Sequence, residues 1–350
     1  MAGTTGNVVG GRYRLAEAIG QGGMGRVWRA RDETLGRAVA VKEVFLPVHL
    51  SPEEHRELTG RAVREARAAA ALNHPGIVTV HDVVEQDGAP WIVMELLAGN
   101  SLAAVLKEQG RLPWQRVAAL GADLADALAH AHQAGIVHRD MKPDNVFLAQ
   151  RRTVVTDFGI ARVLDASTQL TQSGMMIGTP QYMPPEQLEG TPVGTAGDLW
   201  SLGATLYTAL EGEPPFNGPS LPSIWLAITQ QPLPPAQHAG PLGPLLESLL
   251  HKDPERRPTA QQAAAQLEAL HARALAAPSA TPPSATPPPV TAQATAVQPA
   301  PRPETVVLRT APEPEATRKS GWREFAIATA IGLAAVGGTS LAVVEIIPKR

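Results

Sequence analysis

The run His138-Arg139-Asp140-Met141-Lys142-Pro143-Asp144-Asn145 is followed shortly by Asp157-Phe158-Gly159. It gathers a carboxylate able to accept a hydroxyl proton, an ammonium able to neutralise a phosphate, and an amide and a second carboxylate able to hold a hard cation. Phosphoryl transfer asks little covalent chemistry of a protein. It needs an oriented hydroxyl, a bound Mg²⁺ and charge stabilisation in line with the leaving group. Residue types for all three tasks lie within this one stretch.

A second signal lies near the N-terminus, Gly20-Gln21-Gly22-Gly23-Met24-Gly25-Arg26-Val27. Glycines allow a tight turn whose backbone amides approach phosphate unobstructed. Dinucleotide-binding folds use the same spacing, but there a helix must begin at the glycines. Here Val27-Trp28-Arg29-Ala30 passes through Asp32-Glu33-Thr34-Leu35-Gly36 into Ala38-Val39-Ala40-Val41. That pattern predicts strand, turn and strand, a hairpin lid rather than a dinucleotide fold.

These groups need elements to hold them. Lys42 ends the second strand of the hairpin, and with a glycine loop upstream it is expected to bind phosphate. Such a lysine needs a carboxylate. A helix is predicted over Pro52–Leu72, stopping before His74-Pro75, and Glu65 is the expected partner within it. Glu53, Glu54 and Glu57 sit in the first turns, where acids complement the helix dipole. A second helix is predicted over Ala118–Ala134 from the stripe Leu120, Leu124, Leu128 and Ala131, closed by Gly135.

Composition narrows the class. The 350 residues carry a formal charge of −3, so no polybasic surface points to nucleic acid. There is no cysteine, which excludes a disulfide framework and thiolate metal sites. Met1–Gly11 has no basic region followed by an apolar run, so no secretory signal is expected.

The ordered set of motifs resembles the protein kinases, specifically the bacterial Hanks-type (eukaryotic-like) serine/threonine protein kinases. The resemblance covers about Tyr13 to His271. It implies an α+β, bilobal protein kinase fold with a β-rich N-lobe (13–94) and an α-rich C-lobe (98–272), preceded by a flexible lead over residues 1–12. It implies a non-specific serine/threonine protein kinase that uses ATP and Mg²⁺, with Mn²⁺ as a substitute, on the hydroxyls of protein substrates. Asp140 would accept the substrate proton or at least orient the hydroxyl, Lys142 would neutralise the transferring phosphate, and Asn145 and Asp157 would hold the metal. ATP would lie against Ile19, Gly20, Gln21, Gly22, Gly23, Met24, Gly25, Val27, Ala40, Lys42 and Phe147. Met94 resembles the gatekeeper, with the Glu95 carbonyl and Leu97 amide meeting the adenine edge. Phe158 would pack under the Glu65 helix.

Further family marks follow. Gly178-Thr179 resembles the loop that meets the substrate residue, Asp198 the brace of the catalytic loop, and Arg257 the partner of a structural glutamate. That glutamate, Glu186, stands in Pro184-Pro185-Glu186 where the family has Ala-Pro-Glu, a departure that touches local geometry. Ser167, Thr168, Thr171 and Ser173 are candidate autophosphorylation sites, with Thr168 and Thr171 foremost, and Arg139, next to Asp140, is the expected cation for such a phosphate. A nucleotide-binding pseudokinase would have lost one of Lys42, Glu65, Asp140, Asn145 or Asp157. A small-molecule phosphotransferase would lack the long hydroxyl-bearing segment before Glu186.

Residues 273–321 read as a disordered Pro/Ala/Thr-rich linker: Ala277–Thr317 contains eleven prolines and the repeat Ser-Ala-Thr-Pro-Pro. Phe325 to Val344 carries no charge in twenty residues, enough to cross a hydrocarbon core of roughly 30 Å. A single transmembrane helix is therefore expected over 325–347, with the kinase domain on the cytoplasmic side of the cell membrane, where ATP is. Ala326, Ala330, Ala334, Gly338 and Ala342 recur at every fourth position and would let two such helices approach as a homodimer.

Overall fold

The computed structural model describes residues 3–23, 25–47, 50–150, 152–158 and 180–276, all within one compact unit, Met1–Pro283. Met24, Gly159, the four candidate phosphorylation sites, Gly178-Thr179, residues 277–321 of the expected linker and the apolar segment 325–347 lie outside the described residues, while residues 273–276, expected in the linker, instead continue the helix Ala260–Ala276. Among the described residues no helix is long and apolar enough to cross a membrane.

The N-terminal part is a six-stranded sheet in the order β1-β2-β3-β4-β6-β5, formed by β1 (Val8–Val9), β2 (Tyr13–Gly22), β3 (Gly25–Asp32), β4 (Arg37–Val44), β5 (Val80–Gln86) and β6 (Ala89–Met94). The predicted hairpin is β3–β4, antiparallel with Val27 opposite Lys42. Side chains alternate across a strand. Val39 and Val41 of β4 therefore enter one apolar cluster with Tyr13, Trp28 and Trp91, while Ala40 joins another with Met94 on the opposite face. Lys42 shares that second face by register.

Within the lead expected to be flexible, residues 3–12 make ordered contacts. Val8–Val9 pairs antiparallel with β2, Val9 is buried in the same cluster as Trp28, and the Gly3 N–H donates to buried Glu43 Oε1 at 2.8 Å. Two valines whose side chains and amides find partners on an existing sheet edge are ordered by it, whatever the Gly/Thr content around them.

α1 (Pro52–Ala70) begins with a capping box. Ser51 Oγ accepts from the Glu54 N–H, and the Glu54 carboxylate accepts from the Ser51 N–H. It ends two residues before the predicted limit. A three-stranded sheet of β7 (Gly99–Ser101), β8 (Val146–Ala149) and β9 (Arg152–Val155) lies at the start of the C-terminal part, next to α2 (Leu102–Gln109). α3 (Trp114–Gln133) begins four residues earlier than predicted, because the Pro113 carbonyl accepts from the Arg116 and Val117 amides and opens the helix there. The remaining helices are α4 (Pro185–Leu188), α5 (Thr195–Glu211), α6 (Leu221–Gln230), α7 (Gly243–Leu249) and α8 (Ala260–Ala276). α3 and α5 are the largest contributors to one large core cluster, which α8 joins through Ala260, Ala263, Ala264 and Leu267. A β-rich N-lobe followed by a helical C-lobe is thus the observed architecture.

Candidate active site

The loop carrying Asp140 is aimed by the end of α3. Gly135 takes φ +75°, the Ile136 N–H donates to Ala131 O at 2.9 Å and the Gly135 N–H to His132 O at 3.0 Å. This paired closure is a Schellman motif, and it turns the chain sharply into Ile136-Val137-His138. Buried Asp198, in the first turn of α5, then receives the loop. Its Oδ2 accepts the His138 N–H at 2.8 Å and its Oδ1 the Arg139 N–H at 2.7 Å, as the brace expected from the sequence should. Arg139 is held at φ +67°, a conformation that non-glycine residues seldom adopt.

The His138 ring sits inside the loop. Its Nε2 lies 2.9 Å from Thr156 O, which can only accept, and its Nδ1 accepts the Asp140 N–H at 3.1 Å. The ring is therefore the Nε2–H tautomer. It also meets Phe158 edge-on, with centroids 4.6 Å apart. Phe158, Ala66 and Ala69 line one small cavity, so Phe158 does lie beneath α1.

Asp140 is tightly addressed. Lys142 Nζ donates to both carboxylate oxygens, at 2.8 and 2.7 Å, and Asn145 Nδ2 donates to Oδ2 at 2.9 Å and to the Asp140 carbonyl at 2.7 Å. A carboxylate offers about four acceptor sites, so with three filled one remains, on Oδ1. Both N–H bonds of the Asn145 amide are committed to Asp140, which leaves its carbonyl oxygen as the group able to ligate a cation.

Lys42 does not follow the expected pairing with Glu65. Its ammonium is ion-paired with Asp157 Oδ1 at 2.7 Å, at the floor of the cleft between the two sheets. A lysine with little exposure requires a counter-charge at contact distance, and Asp157, held at φ +64° just after β9, supplies it. Burial pushes the Asp157 carboxyl up, but Lys42 outweighs it by charge and hydrogen bond, with smaller help from His138 and Lys142. The carboxyl is held below its ordinary range. Glu65 itself is half-buried on α1.

Val27, Ala40, Met94, Leu97 and Phe147, expected around adenine, share one apolar cluster with Val78 and Val154, which the sequence reading did not single out. Val154 stands opposite Phe147 in the β8–β9 register, a signal readable only once that pairing is known. Ile19, Gly20, Gln21, Gly22 and Gly23 are exposed at the β2–β3 turn. A Cβ on Gly25 would lie 2.1 Å from Glu43 O, so the fold itself demands glycine there, whereas one on Gly22 would meet nothing within 4 Å. Glu95 is tied down by its side chain as well. It accepts from the Thr79 N–H at 2.9 Å and pairs with Arg152, which also donates to Pro75 O at 2.8 Å.

The Glu186–Arg257 pair is present as expected. It is bidentate, at 2.7 and 2.8 Å, and the Arg257 guanidinium also donates to the carbonyls of His251, Ala196 and Lys252. Pro184 is accommodated: its φ of −73° is the value its ring imposes, and it caps α4.

A bilobal α+β fold with this cleft defines the protein kinases. Residues 13–267 match the protein kinase domain family, and the chain belongs to that family. It is 42% identical over 256 residues to the serine/threonine-protein kinase PknB of Mycobacterium leprae, covering 70% of this chain and 40% of PknB. It is 40% identical over 265 residues to PknA of Mycobacterium tuberculosis, covering 73% of this chain and 60% of PknA. The chain thus spans between two fifths and three fifths of the length of these curated relatives. The crystal structure of the Mycobacterium tuberculosis PknI kinase domain superposes with a TM-score of 0.60 at 28% identity, over 78% of this chain and all of that one.

Proposed function

We propose that this chain is an active serine/threonine protein kinase that transfers the γ-phosphate of ATP to protein hydroxyls. The observation that carries the reading is Asp140, with three of its acceptor sites filled by Lys142 and Asn145 and one left on Oδ1 for a substrate hydroxyl. Asp140 orients that hydroxyl and takes its proton. Lys142, already in contact with Asp140, is placed to meet charge on the transferring group. Lys42 directs its ammonium at the phosphates, Gly20, Gln21, Gly22, Gly23 and Gly25 cover them, and Val27, Ala40 and Phe147 enclose the base with the Glu95 and Leu97 backbone at its edge. Glu65 on α1 would be the carboxylate available to hold Lys42 with a metal bound at Asp157.

Asn145 and Asp157 offer a carboxamide oxygen and a carboxylate, an all-oxygen set that fits Mg²⁺ or Mn²⁺. The cation neutralises charge on the phosphates. Mg²⁺ commonly takes only one or two protein carboxylates, with phosphates and water completing its shell.

The apolar composition of 325–347 after the linker 273–321 supports a single-pass anchor, with the catalytic domain (13–272) on the cytoplasmic face of the cell membrane and a homodimer through the small-residue face. Autophosphorylation on Thr168 or Thr171 fits Arg139 beside the base. The test uses the full chain in membranes with Mg·ATP and a generic protein acceptor. Wild type is expected to yield phosphoserine or phosphothreonine, Asp140→Asn to yield none, and truncation after residue 283 to release activity to the soluble fraction. An inactive wild type overturns the kinase reading; soluble full-length activity overturns the anchor.

A further inference from the structure

Asp198 holds two backbone amides of the catalytic loop, and a third donor reaches the same carboxylate. His132 Nε2 lies 2.7 Å from Asp198 Oδ2. Asp198 has no solvent exposure, so its acceptor sites must be met from within the fold. The two amides and the N-terminal end of α5 belong to the backbone. His132 adds a side-chain donor on Oδ2, beside the His138 amide.

The sequence explains why this histidine is within reach. His132 stands one residue before the end of α3, and its own carbonyl takes part in the Schellman closure that turns the chain toward His138. Its backbone therefore helps to bend the chain while its side chain reaches forward to the anchor of the segment that follows.

We propose that His132 is a positioning residue for phosphoryl transfer, acting through Asp198. It fixes the rotamer in which Asp198 grips the His138 and Arg139 amides, and so keeps Arg139 at φ +67° with Asp140, the next residue, facing the cleft. The inference rests on the protein kinase reading of Asp140. Without the His132 donor, the Oδ2 atom that holds the His138 amide has an unmet acceptor site in a buried setting, and the carboxylate is drawn to other donors. The loop then loses its register.

The surroundings of His132 provide a direct test. A cleft of about 410 Å³ borders it, lined also by Gln133, Thr195, Arg257, Thr259 and Gln261. Deleting the imidazole by His132→Gly leaves a gap continuous with that cleft, wide enough for free imidazole to enter and donate its N–H to Asp198.

The experiment measures kcat and KM for ATP on the full chain with a generic protein acceptor. In His132→Gly kcat is expected to fall about 10- to 100-fold, the scale at which small displacements of reacting groups act, while KM for ATP stays within about twofold. Millimolar imidazole should restore a substantial part of the lost rate and leave wild type unchanged. His132→Gln, which keeps an N–H donor, should exceed His132→Phe, which has none. A wild-type kcat in His132→Gly, or a folded variant whose lost rate neither imidazole nor glutamine recovers, overturns the proposal. If His132→Gly does not fold, equal rates for the Gln and Phe variants overturn it as well. An inactive wild type instead removes the kinase reading, and the two failures are told apart.

Discussion

Lys42 Nζ and Asp157 Oδ1 meet at 2.7 Å across the cleft, joining the residue assigned to phosphate with the residue assigned to metal. Each holds the other's charge, and under the proposed reading both would be shared with bound ATP and its cation. Asp157→Asn would leave the Lys42 ammonium, whose side chain is 6% exposed, without that counter-charge. The expected loss is about 2 kcal/mol, below the range for a fully buried pair because Asp157 is partly open to solvent. Urea unfolding of both single variants and of Lys42→Met/Asp157→Asn should show a double loss smaller than the sum. Additive losses would mean that the contact contributes nothing.

Arg257 has no side-chain exposure and gives all five of its N–H donors to Glu186, His251, Ala196 and Lys252. Lysine has three donors and no planar fork. Arg257→Lys should therefore lower stability by about 3 kcal/mol, read from the denaturant midpoint. Pro184→Ala should move that midpoint little, since the native φ suits both residue types.

The acid limb of stability follows from two carboxyls. Asp32 is held well below the usual carboxylate range, first by its hydrogen bond from Arg12, and by the Thr34 and Leu35 amides. Asp157 is held low chiefly by Lys42 against its own burial. A folded-state pKa below the unfolded one gives stability that is present above the unfolded value, about 4. It is lost as pH falls through that value toward the folded one. Thermal melts should therefore show Tm dropping below about pH 4, with a shallower slope in Asp32→Asn. An unchanged slope would remove Asp32 from the account.

Arg152 joins the strand β9 to the connection after β6 through Glu95, and to the segment between α1 and β5 through Pro75. The pair is half-exposed, so Arg152→Ala should cost less than about 1 kcal/mol. Its larger effect should fall on KM for ATP, raised several-fold with kcat little changed, because the proposed kinase reading puts the Glu95 backbone at the adenine edge. A change in kcat alone would contradict this.

Much of the site was readable in the sequence because its signals are local. The period of two in β4 sends Lys42 to the cleft face, Gly135 ends α3 where its positive φ is needed, and the residues from His138 to Asn145 contact one another within a single turn. The Asp198 brace and the Glu186–Arg257 pair came from family resemblance and are found in place. What was not legible depends on distance through space. Which acid pairs with Lys42 is decided by where α1 and the end of β9 lie across a cleft, and no spacing encodes that. His132 looked like any polar residue at a helix end. Val8–Val9 is too short to show a period, and only the waiting edge of β2 makes it a strand.

That short strand changes where this domain can be cut. The family match begins at Tyr13, yet Val9 covers Trp28, and Gly3 satisfies Glu43, whose carboxylate also receives the Trp28 indole N–H. A protein expressed from Tyr13 onward would open an apolar edge and strip a buried acid of one donor. It should precipitate or melt early, and an affinity tag belongs ahead of Gly3 rather than in place of the first twelve residues.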